Sequence, residues 1–83
     1  DYLINIFPNP AKDFINLNIN SPFSEIINVS LFNMLGEEIY SEKIMGNRGF
    51  NNYTINIQGI SASVFFVNIR TKNTTYIRKI LSY

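Results

Sequence analysis

The 83-residue chain has no cysteine, no histidine and no tryptophan, and only four glycines and three prolines. Without cysteine no disulfide can staple the fold and no thiolate can act as nucleophile or ligand, which leaves the redox compartment open. Without histidine the commonest general base and the usual zinc and copper ligand are missing. The serines lie in no nucleophile-elbow pattern and have no imidazole to activate them. No glycine-rich phosphate cradle occurs. A formal charge of +1 is too small for a footprint on nucleic acid or anionic lipid. No stretch approaches the roughly 20 apolar residues that span a bilayer, and no basic-then-apolar leader opens the chain. For an exported protein the leader is then expected upstream, which makes Asp1 the edge of a fragment. These absences predict neither enzyme nor cofactor site, neither nucleic-acid binding nor stable membrane insertion.

What is present is apolar and aromatic: 46% and 14% of the residues, enough for a packed fold rather than disorder. The length predicts one domain, 1–83, with a thin core, since a chain this short buries only about 60–65% of its unfolded surface. The apolar residues recur with period two. Ile15, Leu17 and Ile19 alternate with asparagines, as do Ile27, Val29 and Leu31 with Asn28 and Ser30. Tyr53, Ile55 and Ile57 follow the same rule, as do Phe65, Val67 and Ile69. One face of each run meets a core and the other meets water. Turn residues separate the runs: Pro8-Asn9-Pro10, Ser21-Pro22, Gly36, Gly46-Asn47-Arg48-Gly49, Gly59 and Lys72-Asn73-Thr74. The predicted strands are Leu3–Phe7, Phe14–Asn20, Ile27–Met34, Glu37–Ile44, Asn51–Gln58, Val64–Thr71 and Thr75–Leu81. The fourth also fits a helical turn through Ile39, Tyr40 and Ile44. The expected fold class is all-β, a small Ig-like β-sandwich of about seven antiparallel strands in two sheets. Its uncovered edges leave self-pairing open.

Candidate sites are few. The acids are Asp1, Asp13, Glu25, Glu37, Glu38 and Glu42. Glu38 and Glu42 share a face of one predicted strand, formally a glycosidase-type pair, but solvated charges that blunt an edge strand explain them better. Asn9 and Asp13 fall well short of the six to eight oxygens calcium takes. The sequons at Asn28, Asn52 and Asn73 are expected by chance in so asparagine-rich a chain. Tyr2, Tyr40, Phe50, Tyr53 and Tyr76 are candidates for a sugar-stacking platform. Against that, Tyr53 is in phase with Ile55 and Ile57 and reads as core, and Phe50 beside Gly49 reads as a loop anchor. Pro8, Asn9 and Pro10 are expected to fix the exit of the first strand.

Three segments resemble a known family. Phe7-Pro8-Asn9-Pro10-Ala11-Lys12-Asp13 is similar to an opening PNPA-x-D run. Val29–Ile39 resembles a strand–glycine–strand hairpin with Gly36 at the matching position. Ile60–Val67 resembles L-x-x-G-x-Y-x-V, and Lys79–Tyr83 a closing lysine followed by apolar residues. In this order they resemble the type A C-terminal sorting domain of the type IX secretion system of Bacteroidetes-type Gram-negative bacteria. Ser63 stands where the family usually has glycine, and Phe65 where it usually has tyrosine. Ser63 then requires a backbone without strongly positive φ, and Phe65 keeps the packing of the tyrosine without its hydroxyl.

The resemblance implies a non-catalytic domain that follows a fused N-terminal cargo. It implies passage through the periplasm and direction of the cargo to the outer-membrane translocon, its shuttle and a cell-surface sortase, which removes the domain in many members. The cargo ends at the cell surface or secreted. Arg78, Lys79, Ile80, Leu81 and Tyr83 are then the expected recognition residues, on a peripheral last strand that a receptor grips by strand addition. The bland alternative is an edge strand kept from aggregating by its basic residues. A different function on the same sandwich is an Ig-like or fibronectin-like carbohydrate-binding or adhesion module.

Overall fold

The computed structural model describes residues 2–83, and Asp1 lies outside the described residues. The strands are β1 (Leu3–Phe7), β2 (Phe14–Ser21), β3 (Glu25–Phe32), β4 (Glu38–Gly46), β5 (Gly49–Asn56), β6 (Val64–Arg70) and β7 (Thr75–Leu81). They form two sheets, β1-β2-β5 and β4-β3-β6-β7, and every strand pair is antiparallel. The all-β, two-sheet expectation holds, and β1 and β7 have the predicted limits. The stretch that also fitted a helical turn is an edge strand, β4.

The alternation read from the sequence is the packing rule of the core. Ile6, Ile15, Leu17, Ile19 and Ile55 come from the inner face of the three-stranded sheet. Ile27, Val29, Leu31, Phe65, Val67, Ile69 and Ile80 come from the facing sheet, and all are buried. Ala11 and Ile57 complete the buried cluster from connecting segments. Each such Val, Leu, Ile or Phe contributes roughly 1.5–3 kcal/mol of burial, and β-branched side chains suit the pleated surface. No buried side-chain nitrogen or oxygen among the described residues lacks a partner.

Two glycines are required by their surroundings. Gly36 takes φ +84 in the β3–β4 turn, where side chains carry a steric penalty. Asn33 closes that turn: its side-chain oxygen accepts the N–H groups of Leu35 (2.9 Å) and Glu37 (3.0 Å). This turn ends β3 two residues before the predicted Met34. Gly46 ends β4 where a Cβ would lie 2.6 Å from Ile27 Cδ1 and 3.1 Å from the Glu25 carbonyl.

The outward faces differ. On the three-stranded sheet Asn5, Asn18 and Asn52 lie side by side across β1, β2 and β5. Beside them Asn16 accepts a hydrogen bond from Thr54 at 2.8 Å. On the four-stranded sheet the pairs across β6 and β7 are Val64–Leu81, Phe66–Lys79, Asn68–Ile77 and Arg70–Thr75.

Candidate recognition edge at the terminal strand

β7 is the outermost strand of its sheet and, among the described residues, pairs with β6 alone. In an antiparallel edge strand alternate residues turn their N–H and C=O groups inward and outward. Ser82 N–H donates to the Ser63 carbonyl at 2.8 Å, on the β6 side. Tyr76, Arg78 and Ile80 therefore spend their backbone groups on β6. Thr75, Ile77, Lys79 and Leu81 direct theirs outward.

The outward groups at the end of β7 are occupied by the Pro8-Asn9-Pro10-Ala11 segment. The Asn9 side chain accepts Leu81 N–H at 3.0 Å and donates to the Lys79 carbonyl at 3.2 Å. Ala11 N–H donates to the Leu81 carbonyl at 2.7 Å, and Tyr83 N–H donates to the Ala11 carbonyl at 2.9 Å. Ala11 and Ser82 form a parallel bridge, and Ala11 is fully buried. The Phe7–Pro8 and Asn9–Pro10 peptide bonds are both cis. The segment read as a strand exit thus also covers the last part of the β7 edge. Asn9, weighed as a cation ligand, uses its oxygen on Leu81.

The side chains of the expected recognition set separate by face. Ile80 is 0% exposed and sits in the core, paired across the ladder with fully buried Phe65. Its side chain is not a surface feature, and the expectation that it meets a receptor is corrected on that ground. Leu81 is 46% and Tyr83 77% exposed, and Arg78 and Lys79 are exposed. Arg78 lies over the Tyr76 ring, 5.4 Å from its centroid, and hydrogen-bonds to its hydroxyl. Ser63 has no positive φ and serves β7 through its carbonyl.

A cleft of about 690 Å³ opens beside the start of β7, lined by Tyr2, Ile4, Phe23, Thr74 and Tyr76 among others. At one end Glu25 ties three segments together. It accepts Tyr2 O–H (2.6 Å) and Ser21 O–H (2.8 Å) on one oxygen and Lys72 N–H (2.7 Å) on the other. Burial opposes ionisation of this carboxyl, but these donated bonds outweigh it and hold its pKa below the ordinary value.

The aromatic residues form no single platform. Tyr2 and Tyr76 both line the cleft. Tyr40 and Tyr53 pack against the core at another edge, their hydroxyls 3.3 Å apart, and Tyr40 donates to Glu42 at 2.7 Å. Burial, with Glu42 and Tyr40 beside it, raises the Tyr53 pKa. Phe50 lies within β5 and is 77% exposed, so it anchors no loop. Glu38 and Glu42 do not share a face. A register shift between Leu31 and Phe32 sets Glu38 opposite outward Phe32 and Glu42 opposite inward Val29. Among the described residues no cluster of three acids could hold a metal.

Sequence reasoning missed Ala11, Ile77 and the cleft. Ala11 stands outside every predicted strand, and Ile77 lies in the opposite phase to Ile80 on a strand with apolar residues in both phases. The chain was compared with known families and proteins. The family model described as "Secretion system C-terminal sorting domain" matches residues 5–82, from within β1 to the residue before Tyr83. A search of curated proteins finds no match.

Proposed function

We infer function from membership: this chain belongs to the secretion system C-terminal sorting domain family, the sorting signals of type IX secretion. The observation that carries the inference is the extent of the match, which takes in the Pro8–Ala11 segment, the Gly36 hairpin and β7 together. The domain occupies 1–83 as one unit, carries no catalysis and follows a fused N-terminal cargo. It directs that cargo through the periplasm to the outer-membrane translocon and its shuttle. A sortase then removes the domain and attaches the cargo to the surface, or the cargo is released.

Recognition falls on the exposed Arg78, Lys79, Leu81 and Tyr83. Ile80 holds the strand to the core from beneath. Pro8, Asn9, Pro10, Gly36, Ser63 and Phe65 serve this surface by fixing the fold around it. Two cations and two partly exposed apolar side chains suit a receptor that combines charge with apolar contact.

The test is a reporter routed to the periplasm, with and without the chain at its C-terminus, in a bacterium with a working type IX system. Export that depends on the chain is expected, with loss in a Lys79→Ala, Leu81→Ala, Tyr83→Ala triple variant that folds normally. Equal export with and without the chain refutes the sorting role.

A further inference from the structure

The terminal edge is divided. Asn9 and Ala11 occupy the Lys79 carbonyl, both backbone groups of Leu81 and Tyr83 N–H. Among the described residues, what remains turned outward is the N–H and C=O of Thr75 and Ile77 and the N–H of Lys79. This free half lies at the end where the cleft opens, because Tyr76 and the preceding Thr74 line it. The cleft is large enough for side chains from an added strand, and Tyr2, Ile4, Phe23 and Tyr76 give it an apolar and aromatic wall. On the outward face of the same half stands Ile77, 61% exposed.

Among the described residues the charge beside this edge is mostly positive, with Glu25 the acid at the cleft end. After Glu42 the chain has no further acid and carries Lys43, Arg48, Arg70, Lys72, Arg78 and Lys79, six of its seven cations. Four of these, Arg70, Lys72, Arg78 and Lys79, lie on β6, β7 or the turn between them. Glu25 is already tied up at the cleft end by Tyr2, Ser21 and Lys72 N–H. Arg78 and Lys79 point to opposite faces of β7, so a strand laid along the edge meets one cation on each face.

We propose that the Thr75–Lys79 half of β7 is a strand-addition site for an extended acidic segment of the export machinery. That segment places carboxylates beside Arg78 and Lys79, an apolar side chain beside Ile77 and another in the cleft. Main-chain pairing supplies attachment and the alternating pockets supply selection. The clamped end acts as a stop: Asn9 blocks the partner from pairing beyond Lys79 and so sets its register. The inference rests on the sorting reading and gives it a location, earlier on β7 than the Lys79–Tyr83 tail.

Proline separates the main-chain contact from side-chain effects. An outward N–H on an edge strand is one of the few sheet positions where proline is tolerated, as is the first residue of a strand. Ile77→Pro and Thr75→Pro each delete one outward donor. In the reporter assay both are expected to lower export at least tenfold while circular dichroism and thermal melting show a folded chain. If Ile77→Pro does not fold, Thr75→Pro at the first residue of β7 decides. The Arg78→Glu, Lys79→Glu double variant, altered only at exposed side chains, tests the partner's acidity and is expected to lose at least tenfold. Wild-type export by folded proline variants overturns the strand-addition site. Wild-type export by the charge-reversed variant overturns the acidic partner. Failure of the unmodified chain to export the reporter refutes the sorting reading itself.

Discussion

Asn9 joins two ends of the chain that are 70 and 72 residues apart in sequence, through the Lys79 carbonyl and the Leu81 N–H. Asn9→Ala removes both bonds and leaves Ala11 in place. A net contribution of about 0.5–1.5 kcal/mol per hydrogen bond puts the loss at about 1–2 kcal/mol, since water reaches this exposed site and re-solvates the freed groups. An unfolding entropy of roughly 2.1 cal/mol/K per residue, over 83 residues, is about 0.17 kcal/mol/K. The expected fall in Tm is therefore about 6–12 °C by circular dichroism. Amide exchange gives a sharper reading. Leu81 N–H loses its partner and should exchange about tenfold faster for each 1.4 kcal/mol. Asn9→Asp keeps an acceptor for Leu81 N–H but sets a carboxylate against the Lys79 carbonyl. It should preserve Leu81 protection while still lowering Tm. If Asn9→Ala leaves Leu81 exchange unchanged and Tm within about 1 °C, the clamp does not hold the strand.

Three further outcomes follow from the packing and the charges. Ile80→Ala should destabilise the chain by about 2–5 kcal/mol in a denaturant titration, whereas Leu81→Ala on the neighbouring exposed face should cost only about 0.5 kcal/mol; equal losses would refute the facing assigned to β7. Gly46→Ala should cost about 1–3 kcal/mol, because fully buried Ile27 and the Glu25 carbonyl leave no room for a Cβ. Glu25 has a folded pKa below its unfolded value, so its stabilisation is complete above the unfolded pKa, near 4.5, and fades as pH falls through the folded one. Glu25→Gln should flatten that acid limb of a Tm-against-pH curve, and an unchanged limb would place the acid sensitivity elsewhere.

β2 and the middle of β3 were the most legible because their runs are nearly pure: Ile15, Leu17, Ile19 and Ile27, Val29, Leu31 on the inward phase, Asn16, Asn18, Asn20 and Asn28, Ser30 on the other. β4 was the hardest to read because, at an outer edge with a bulge beside Phe32, its two faces are not cleanly divided between core and water. The same bulge reversed the expected pairing of Glu38 with Glu42, since one extra residue shifts every later side chain to the other face. β7 was readable as a strand but not in phase, for Tyr76 and Ile80 occupy one phase and Ile77 and Leu81 the other. Its burial is decided by which side meets Phe65, a contact between distant segments. The Asn9 clamp was invisible for the same reason. A turn-forming asparagine between prolines has the same local signature whether its amide faces water or a strand seventy residues away.

The asparagine rows on the three-stranded sheet have a consequence for a molecule that changes compartments. Amides hydrate well yet neither titrate in the ordinary range nor gather counter-ions. The wetting of that flank therefore stays constant from an acidic to a neutral medium and from dilute to concentrated salt. β1, β2 and β5 carry no charged side chain, so the groups that answer to salt stand on the other sheet and in the turns.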